Sequence, residues 1–267
     1  MKVSWREFVY SRYRNPGFSS YLRKSLLAPS ILIEAGCHYG EDTKLLVEQL
    51  ELEHTFAFEP DPDAFAKAKD VLTGLPNIEL FPYGLGETQG SFSLFVNRSE
   101  PENGTSGLEF NVENSEEWTT TQIEVKTLDS VISGSEVFTS VHDRKCFLWL
   151  DVEGFEHQVL KGSSLTIGKV GVAQIEINMH NALRKANYLQ VLSYMYKQGF
   201  GLIYAPLHPG YFGDSVFLHH SVMSSRNTKV RGILLGIAMV FLHSVVYPLL
   251  RKPGKPNKPL QAGPSRN

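Results

Sequence analysis

Carboxylates and glycines follow the apolar runs of this 267-residue sequence, and their spacing is typical of a ligand site. Glu34 stands near the end of the first run and is followed by Gly36 and Gly40. Two glycines at a turn that leads into a helix let the backbone approach a ligand closely, with free N–H groups nearby. A dinucleotide-binding turn requires the spacing G-x-G-x-x-G, whose middle glycine is missing here. Since a carboxylate begins the loop, the pattern favours a ligand with a cationic end.

A second acid, Glu59, ends the next apolar run, in the string Phe58-Glu59-Pro60-Asp61-Pro62. A carboxylate at the tip of the second strand of such a sheet can accept hydrogen bonds from two ribose hydroxyls. The alternative is a solvated acid in a proline-stiffened turn that precedes a helix. The glycine-bearing loop upstream favours the ribose interpretation.

Three further acids lie close together after a later apolar run: Asp151, Glu153 and Glu156. Their carboxylates repel one another unless a cation or a proton donor lies among them. Glu156 fits the N-terminus of a helix, where a negative charge is favourable. Asp151 and Glu153 are harder to explain as surface acids, because Asp151 ends an otherwise apolar strand, and Glu176 repeats the pattern on the next strand. Only two cysteines are present and the histidines are poorly spaced as ligands, so no metal site is predicted.

Short apolar runs that alternate with amphipathic segments must position these residues. This rhythm is typical of an α/β fold with about seven core strands in a parallel sheet that helices cover. Two further alternating runs, Ser91–Val96 and Gln122–Lys126, resemble edge strands. The predicted core strands are Ile31–Ala35, Thr55–Phe58, Ile78–Pro82, Cys146–Leu150, Val170–Ile177, Leu202–Ala205 and Val216–Leu218. The predicted helices are Asp42–Leu50, Asp63–Leu72 and Tyr188–Lys197.

The net charge of −2 divides into three unequal parts. Residues 1–30, 31–221 and 222–267 carry net charges of +5, −15 and +8. We therefore predict a basic, helical N-terminal extension, one α/β domain over 31–221, and a basic C-terminal region with a tail that cannot form a core. Nucleic acid is a poor partner for an acidic domain, because binding to phosphates requires a basic face.

Four sequence strings resemble the FkbM-type branch of the class I S-adenosylmethionine-dependent methyltransferases, over about residues 30–220. The strings are Ile33-Glu34-Ala35-Gly36 through Gly40, Phe58-Glu59-Pro60-Asp61-Pro62, Thr127-Leu128-Asp129, and Asp151-Val152-Glu153-Gly154-Phe155-Glu156-His157-Gln158-Val159-Leu160-Lys161-Gly162. The first string departs from the family pattern, which commonly opens with Asp and has Ala-Asn where this chain has Cys37-His38.

The resemblance implies a Rossmann-like, seven-stranded, mainly parallel sheet with helices on both faces, and S-adenosyl-L-methionine as methyl donor. Methyl transfer would then go to a hydroxyl oxygen of a small molecule, lipid or glycan. The residues implied under the methionine portion are Glu34, Gly36 and Gly40, with Glu59 at the ribose and Asp151 and Glu153 at the reaction centre. An alcohol must lose its proton during attack, and Asp151 or Glu153 is the candidate base.

Two other functions remain open from the sequence. One is a catalytically silent, membrane-tethered binding module. The other is an NAD-binding oxidoreductase, which the missing glycine and the lack of a hydride site disfavour. Binding of S-adenosylmethionine or of NAD distinguishes the two enzymes.

Residues 232–250 contain no charged side chain and form an apolar segment with basic residues on both sides. As a helix the segment would be about 28 Å long, close to the hydrocarbon core of a bilayer. It predicts a C-terminal apolar helix that attaches the protein to a membrane, with the catalytic domain on the cytosolic face. The alternative is a helix that is buried against protein or forms a dimer.

Overall fold

The computed structural model describes residues 29–50, 52–97, 106–108, 118–178, 188–205 and 212–222. Nearly all of the predicted N-terminal extension and the whole apolar segment 232–250 lie outside these residues. Among the helices of the described residues, none is both long and apolar enough to cross a membrane.

Eleven strands and six α-helices form the described part of the chain, with short 3₁₀ turns at Thr166–Lys169 and His220–Val222. The strands are β1 (Ile31–Ala35), β2 (His54–Phe58), β3 (Ile78–Phe81), β4 (Gly84–Leu85), β5 (Gly90–Asn97), β6 (Ser106–Gly107), β7 (Trp118–Lys126), β8 (Cys146–Leu150), β9 (Val170–Asn178), β10 (Phe200–Tyr204) and β11 (Phe212–His219). The helices are α1 (Glu41–Leu50), α2 (Pro62–Leu72), α3 (Leu128–Ile132), α4 (Glu136–Ser140), α5 (Glu156–Lys161) and α6 (Tyr188–Lys197).

Seven of these strands form the main sheet, in the order β3-β2-β1-β8-β9-β11-β10. The pairs on the β3 side of β9 are all parallel, whereas β11 runs antiparallel to both β9 and β10. The predicted α/β fold with a mainly parallel seven-stranded sheet is therefore confirmed. The C-terminal apolar helix predicted with it falls on residues that are not described.

The main sheet has an apolar core on each face. Ile31, Ile33 and Ala35 of β1 belong to a large cluster that includes side chains of the four helices α3 to α6. Leu32 points to the other face, where it packs with Leu46 of α1 and with side chains of β8, β9 and β11. Because side chains alternate along a strand, Glu34 lies on this second face. The helix-covered sheet thus buries a carboxylate at the end of its central strand.

The starts of two helices differ from the sequence prediction, and α1 begins at Glu41, one residue before Asp42. Helix α2 begins at Pro62, and its N-cap is Asp61, whose side chain accepts a hydrogen bond from the Asp63 N–H. Proline is favoured at the first helical position because it lacks the N–H that would be unpaired there and its φ already suits a helix. The cap therefore lies two residues before Asp63, where the predicted helix begins.

Four strands between β3 and β8 in the chain form a separate small sheet, in the order β4-β7-β5-β6. Its own apolar cluster is formed by Leu94, Val96, Ile123 and Val125. The small sheet borders the main domain at two loops. A Cβ built on Gly84 would lie 3.7 Å from the Pro60 side chain, and one on Gly86 would lie 3.2 Å from the Phe155 ring. It is therefore next to the loops that follow β2 and β8.

Candidate active site

The loops after β1, β2 and β8 meet at one edge of the main sheet. The chain passes from β1 to β2 and β3 on one side, and then returns to β8 on the other side of β1. Ligands of open α/β sheets bind at such a reversal, at the carboxyl ends of the strands. Backbone hydrogen bonds join the three loops: Gly36 donates to Phe58 O (2.9 Å) and Asp151 donates to Ala35 O (3.0 Å).

The structure explains why glycine is required at the two positions after β1. Gly36 has a φ of 85°, and a Cβ there would lie 1.9 Å from the Asp151 carbonyl oxygen. Gly40 has a φ of 76°, and its Cβ would lie 3.1 Å from the Leu72 side chain of α2. The sequence pattern suggested close approach to a ligand. In the structure both positions are already restricted by the protein's own packing and by the left-handed backbone.

Glu59 connects the first loop to the second. Its Oε2 accepts a hydrogen bond from the His38 N–H and its Oε1 accepts one from the Asp61 N–H, both at 2.8 Å. The residue is 5% exposed. A carboxylate has about four lone-pair positions, so two remain for hydroxyl donors of a ligand. Glu59 thus has the geometry expected of a group that orders the loop and still accepts further bonds.

Glu34 is a buried carboxylate that the protein only partly satisfies. It is 2% exposed, and its Oε2 has no hydrogen-bond partner among the described residues. Burial raises the pKa of Glu34 to about 8; the Thr43 side chain lowers this pKa, and the charges of Asp42, Asp151 and Glu59 raise it. An ionised carboxylate in this position needs a positive partner, because desolvation disfavours its charge.

The same electrostatic pattern extends through the site. Burial raises the pKa of Glu59 to about 8, although the N–H groups of Asp61 and His38 lower it. Burial also raises the pKa of Glu156 to about 7, against the lowering effect of backbone hydrogen bonds. The charge of Asp151 contributes to the increase in pKa at Glu34, Glu59 and Glu156, and within the part of the chain that the structure describes no cation is among the causes. Asp151 therefore lies at the centre of a cluster of acidic groups.

Asp151 and Glu153, the predicted catalytic pair, are brought together with Glu176 of β9. Each of the three offers a carboxylate oxygen, and these atoms lie within 4.8 Å of one another. Glu153 has a φ of 60° and precedes Gly154, whose φ is 103°. A left-handed backbone is uncommon for Glu and costs about 1–3 kcal/mol, so the surrounding turn holds Glu153 in place.

Asp214 completes a row of acids across three strands. It is the register partner of Glu176 in the antiparallel β9–β11 pair. The sequence pattern indicates Glu176 without assigning it a role and gives no indication of Asp214. Glu176 could be found because it follows an apolar run, as Asp151 does. Asp214 gives no such signal, since it lies near the beginning of an antiparallel strand in a polar stretch.

Glu156 orders the loop after β8 and does not belong to this row. It is the first residue of α5, and its Oε1 accepts hydrogen bonds from the N–H groups of Gly154 (3.0 Å) and Val152 (3.3 Å). This geometry agrees with the interpretation of Glu156 as a helix N-terminal acid.

Asp129, from the string Thr127-Leu128-Asp129, has a structural role, because its carboxylate accepts hydrogen bonds from a neighbouring turn. Its Oδ1 accepts hydrogen bonds from the N–H (2.9 Å) and hydroxyl (2.7 Å) of Thr166. Its Oδ2 accepts bonds from the Leu165 N–H (2.8 Å) and the Ser164 hydroxyl (3.1 Å). One carboxylate thus fixes the turn between α5 and β9, and β9 is the strand that contains Glu176.

Comparisons with known proteins support a methyltransferase. The 2-O-methyltransferase NoeI of Sinorhizobium fredii is 22% identical to this chain over 149 residues, which are 52% of this chain and 59% of NoeI. The match thus spans less than two thirds of that relative's length.

Among solved structures, a methyltransferase FkbM from Methylobacillus flagellatus KT matches with a TM-score of 0.48 at 19% identity, covering 77% of this chain and 50% of that one. An rRNA methylase from Streptococcus thermophilus matches with a TM-score of 0.43 at 16% identity, covering 77% of this chain and 97% of that one.

The model of the methyltransferase FkbM domain matches residues 34–202, which include the end of β1, all of β2, β8 and β9, and the loops described above. This match covers well over half of the chain and contains every predicted site residue. The chain therefore belongs to the methyltransferase FkbM domain family.

Proposed function

We propose that this protein transfers a methyl group from S-adenosyl-L-methionine to a hydroxyl oxygen of a small molecule, lipid or glycan. One observation carries the proposal: Glu34, Glu59 and Asp151 come from three different strand ends and lie close enough for their charges to interact. Among the described residues, no cation is among the causes of the pKa shifts of Glu34 and Glu59. Such a site suits a donor whose charge is positive.

The residues present fit this cofactor. The buried Oε2 of Glu34 has no hydrogen-bond partner among the described residues, so it can accept a bond from an ammonium group. Glu59 retains lone pairs for ribose hydroxyls, and the turn that contains Gly36 and Gly40 positions both carboxylates. When bound, the cofactor supplies a methyl group on a positively charged sulfur.

Asp151 and Glu153 are the proposed catalytic residues. As the oxygen–methyl bond forms and the sulfur–methyl bond breaks, one of these carboxylates accepts the proton of the attacking hydroxyl. Such a base contributes about 10²–10⁴-fold to a rate. The negative surroundings also disfavour an anionic acceptor, since like charges in a partly buried site repel strongly.

The name of the relative NoeI supports transfer to oxygen, because it is described as a 2-O-methyltransferase. The acidic site supports an acceptor other than nucleic acid, whose phosphates would meet Asp151 and its neighbours without a basic partner.

Calorimetry with S-adenosylmethionine and with NAD tests the cofactor. We expect binding of the first and none of the second. Transfer of a labelled methyl group to lipid, glycan, small-molecule and RNA fractions then tests the acceptor, with Asp151→Asn and Glu153→Gln as variants. Binding without transfer to any fraction would favour a silent module. Labelled RNA would contradict the proposed acceptor class. Wild-type activity in both variants would refute the assignment of the base.

We also propose that residues 232–250 attach the protein to a membrane, with the catalytic domain on the cytosolic face. The support is the sequence: the segment has no charge, and basic residues lie on both sides. Fractionation of cells that express the full chain or a chain lacking 222–267 tests the proposal. The full chain is expected in the membrane fraction and the shortened chain in the soluble one. An unchanged distribution would contradict attachment through this segment.

A further inference from the structure

We propose that Glu176 is a positioning residue that shares one proton with Asp151 and so directs the Asp151 carboxylate toward the methyl acceptor. The inference rests on the proposed function, because it assigns Asp151 a second partner in the same reaction. Glu176 would act through Asp151 and would not contact the cofactor.

The strand register brings the two side chains together. Leu150 of β8 is the parallel partner of Ile175 of β9, so Asp151 and Glu176 are the next residues on neighbouring strands. Their carboxylate oxygens lie within 4.8 Å of each other, and a side-chain hydrogen bond with Asp151 is among the causes that raise the pKa of Glu176. A hydrogen bond between two carboxyl groups requires a proton on one of them, since an ionised carboxylate can only accept.

The groups around Glu176 determine which carboxyl keeps the proton. Burial, followed by the charges of Asp151, Glu156 and Asp214, raises the pKa of Glu176 well above its ordinary value. Asp214 of β11 lies directly opposite Glu176. Glu153 offers a carboxylate oxygen within 4.8 Å of those of Asp151 and Glu176. All of these neighbours are acids. The proton therefore stays on Glu176, which donates it to Asp151.

This arrangement leaves Asp151 suited to its proposed role. Glu176 engages one carboxylate oxygen of Asp151 and fixes the plane of the group, while the other oxygen can accept from the acceptor hydroxyl. In turnover the acceptor proton moves to Asp151, and Glu176 keeps its own proton. Glu156 does not compete, because the N–H groups of Gly154 and Val152 hold its carboxylate.

Substitution at Glu176 tests the shared proton directly. In Glu176→Gln the carboxyl O–H donor is replaced by an amide N–H₂ group, which donates at every pH, whereas Glu176→Ala has no side-chain donor. Carboxyl ¹³C titration of wild-type protein without ligands is expected to show a Glu carboxyl with a pKa well above its ordinary value, and the signal of this carboxyl is expected to be missing in Glu176→Gln. Asp214→Asn is expected to lower the pKa of that carboxyl, because one neighbouring charge is gone.

Kinetics then test whether the proton matters for catalysis. With the acceptor fraction that the labelling assay identifies, Glu176→Ala is expected to have a kcat about 10²-fold below that of the wild type, with unchanged affinity for S-adenosylmethionine. Glu176→Gln is expected to retain most activity. Wild-type activity is expected to decline at high pH as Glu176 loses its proton, and Glu176→Gln should lack this decline. A residue that only stabilised the fold would not produce that difference.

Three results would overturn the inference. The first is the absence of a protonated carboxyl that depends on Glu176. The second is an equal loss of kcat in Glu176→Gln and Glu176→Ala when both are folded and bind the cofactor. The third is a change in the titration on adding Mg²⁺ or Ca²⁺ to chelator-treated protein, which would replace the shared proton with a cation. Failure of S-adenosylmethionine to bind would refute the proposed function instead, and the ligand-free titration would still decide the shared proton.

Discussion

Replacement of Glu34 by Gln should reduce cofactor affinity in a way that depends on pH. In the ligand-free protein the pKa of Glu34 is raised to about 8, mainly by burial. If the ammonium of the cofactor binds only the ionised form, binding must release the Glu34 proton. The apparent dissociation constant then contains the factor 1 + 10^(pKa − pH), which is about 11 at pH 7 and about 1 at pH 9. Glu34 alone should thus improve affinity about tenfold between these pH values.

The size of the mutant effect follows from the same numbers. A charge-assisted hydrogen bond is worth about 2 kcal/mol, or about 30-fold in affinity. Glu34→Gln should therefore weaken binding about 30-fold at pH 9, where wild-type Glu34 is ionised. At pH 7 the need to deprotonate Glu34 already lowers the cofactor affinity of the wild-type protein about tenfold, so the same substitution should lower the affinity only about threefold.

Calorimetry at pH 7 and pH 9 measures this difference. The cofactor's own amine also titrates in this range, but its contribution cancels when variant and wild type are compared at the same pH. Glu48→Gln, at an exposed position of α1, is the matched control and should leave the dissociation constant unchanged at both pH values. S-adenosylhomocysteine lacks the sulfonium charge and retains the ammonium group, so it should show the same pH dependence if Glu34 binds the ammonium. An equal loss of affinity at both pH values would refute the linkage.

Three further predictions concern stability. Gly36→Ala should destabilise the protein more than Gly74→Ala does in thermal melts: the two glycines have similar φ values, but a Cβ at Gly74 meets nothing within 4 Å. Asp129→Ala should lower the free energy of unfolding by about 2–4 kcal/mol in urea titrations, because the N–H groups of the turn lose a charged acceptor; the exposed Asp70→Ala is the control, and equal effects would contradict the role of Asp129. The ligand-free protein should become less stable as the pH rises from about 4.5 to about 8. The reason is that the raised pKa values of Glu34 and Glu59 mean that the folded state binds their protons more tightly than the unfolded state does. Denaturation midpoints that increase as the pH rises over this range would contradict those values.

The buried central strands could be predicted well from the sequence. The bounds of β1 and β8 agree with prediction at both ends, because every residue of these strands is buried and most are apolar. The last strand was predicted as Val216–Leu218 but extends over Phe212–His219. Gly213, Asp214 and Ser215 do not resemble a strand, and pairing with β9 holds them in one. That contact depends on residues far away in the chain, which a local pattern does not contain.

The site was predictable to a similar extent. Glu34, Glu59 and Asp151 could be expected near one another because each follows an apolar run in a parallel sheet. The interaction of Asp151 with Glu176 depends on the register between β8 and β9, which hydrophobicity alone does not determine. The role of Asp129 was equally hidden, since its partners at residues 164–166 lie more than thirty positions away.

The small sheet between β3 and β8 has a consequence for protein engineering. Its core of Leu94, Val96, Ile123 and Val125 is distinct from the two cores of the main sheet. The residues proposed to hold the methyl donor all lie on the main sheet and its loops. We therefore expect strands β5 to β7 to be exchangeable as a module among related enzymes, with the donor site retained. Strand β4, whose Leu85 packs in the main core, and Gly86 mark the junction that such a chimera has to preserve.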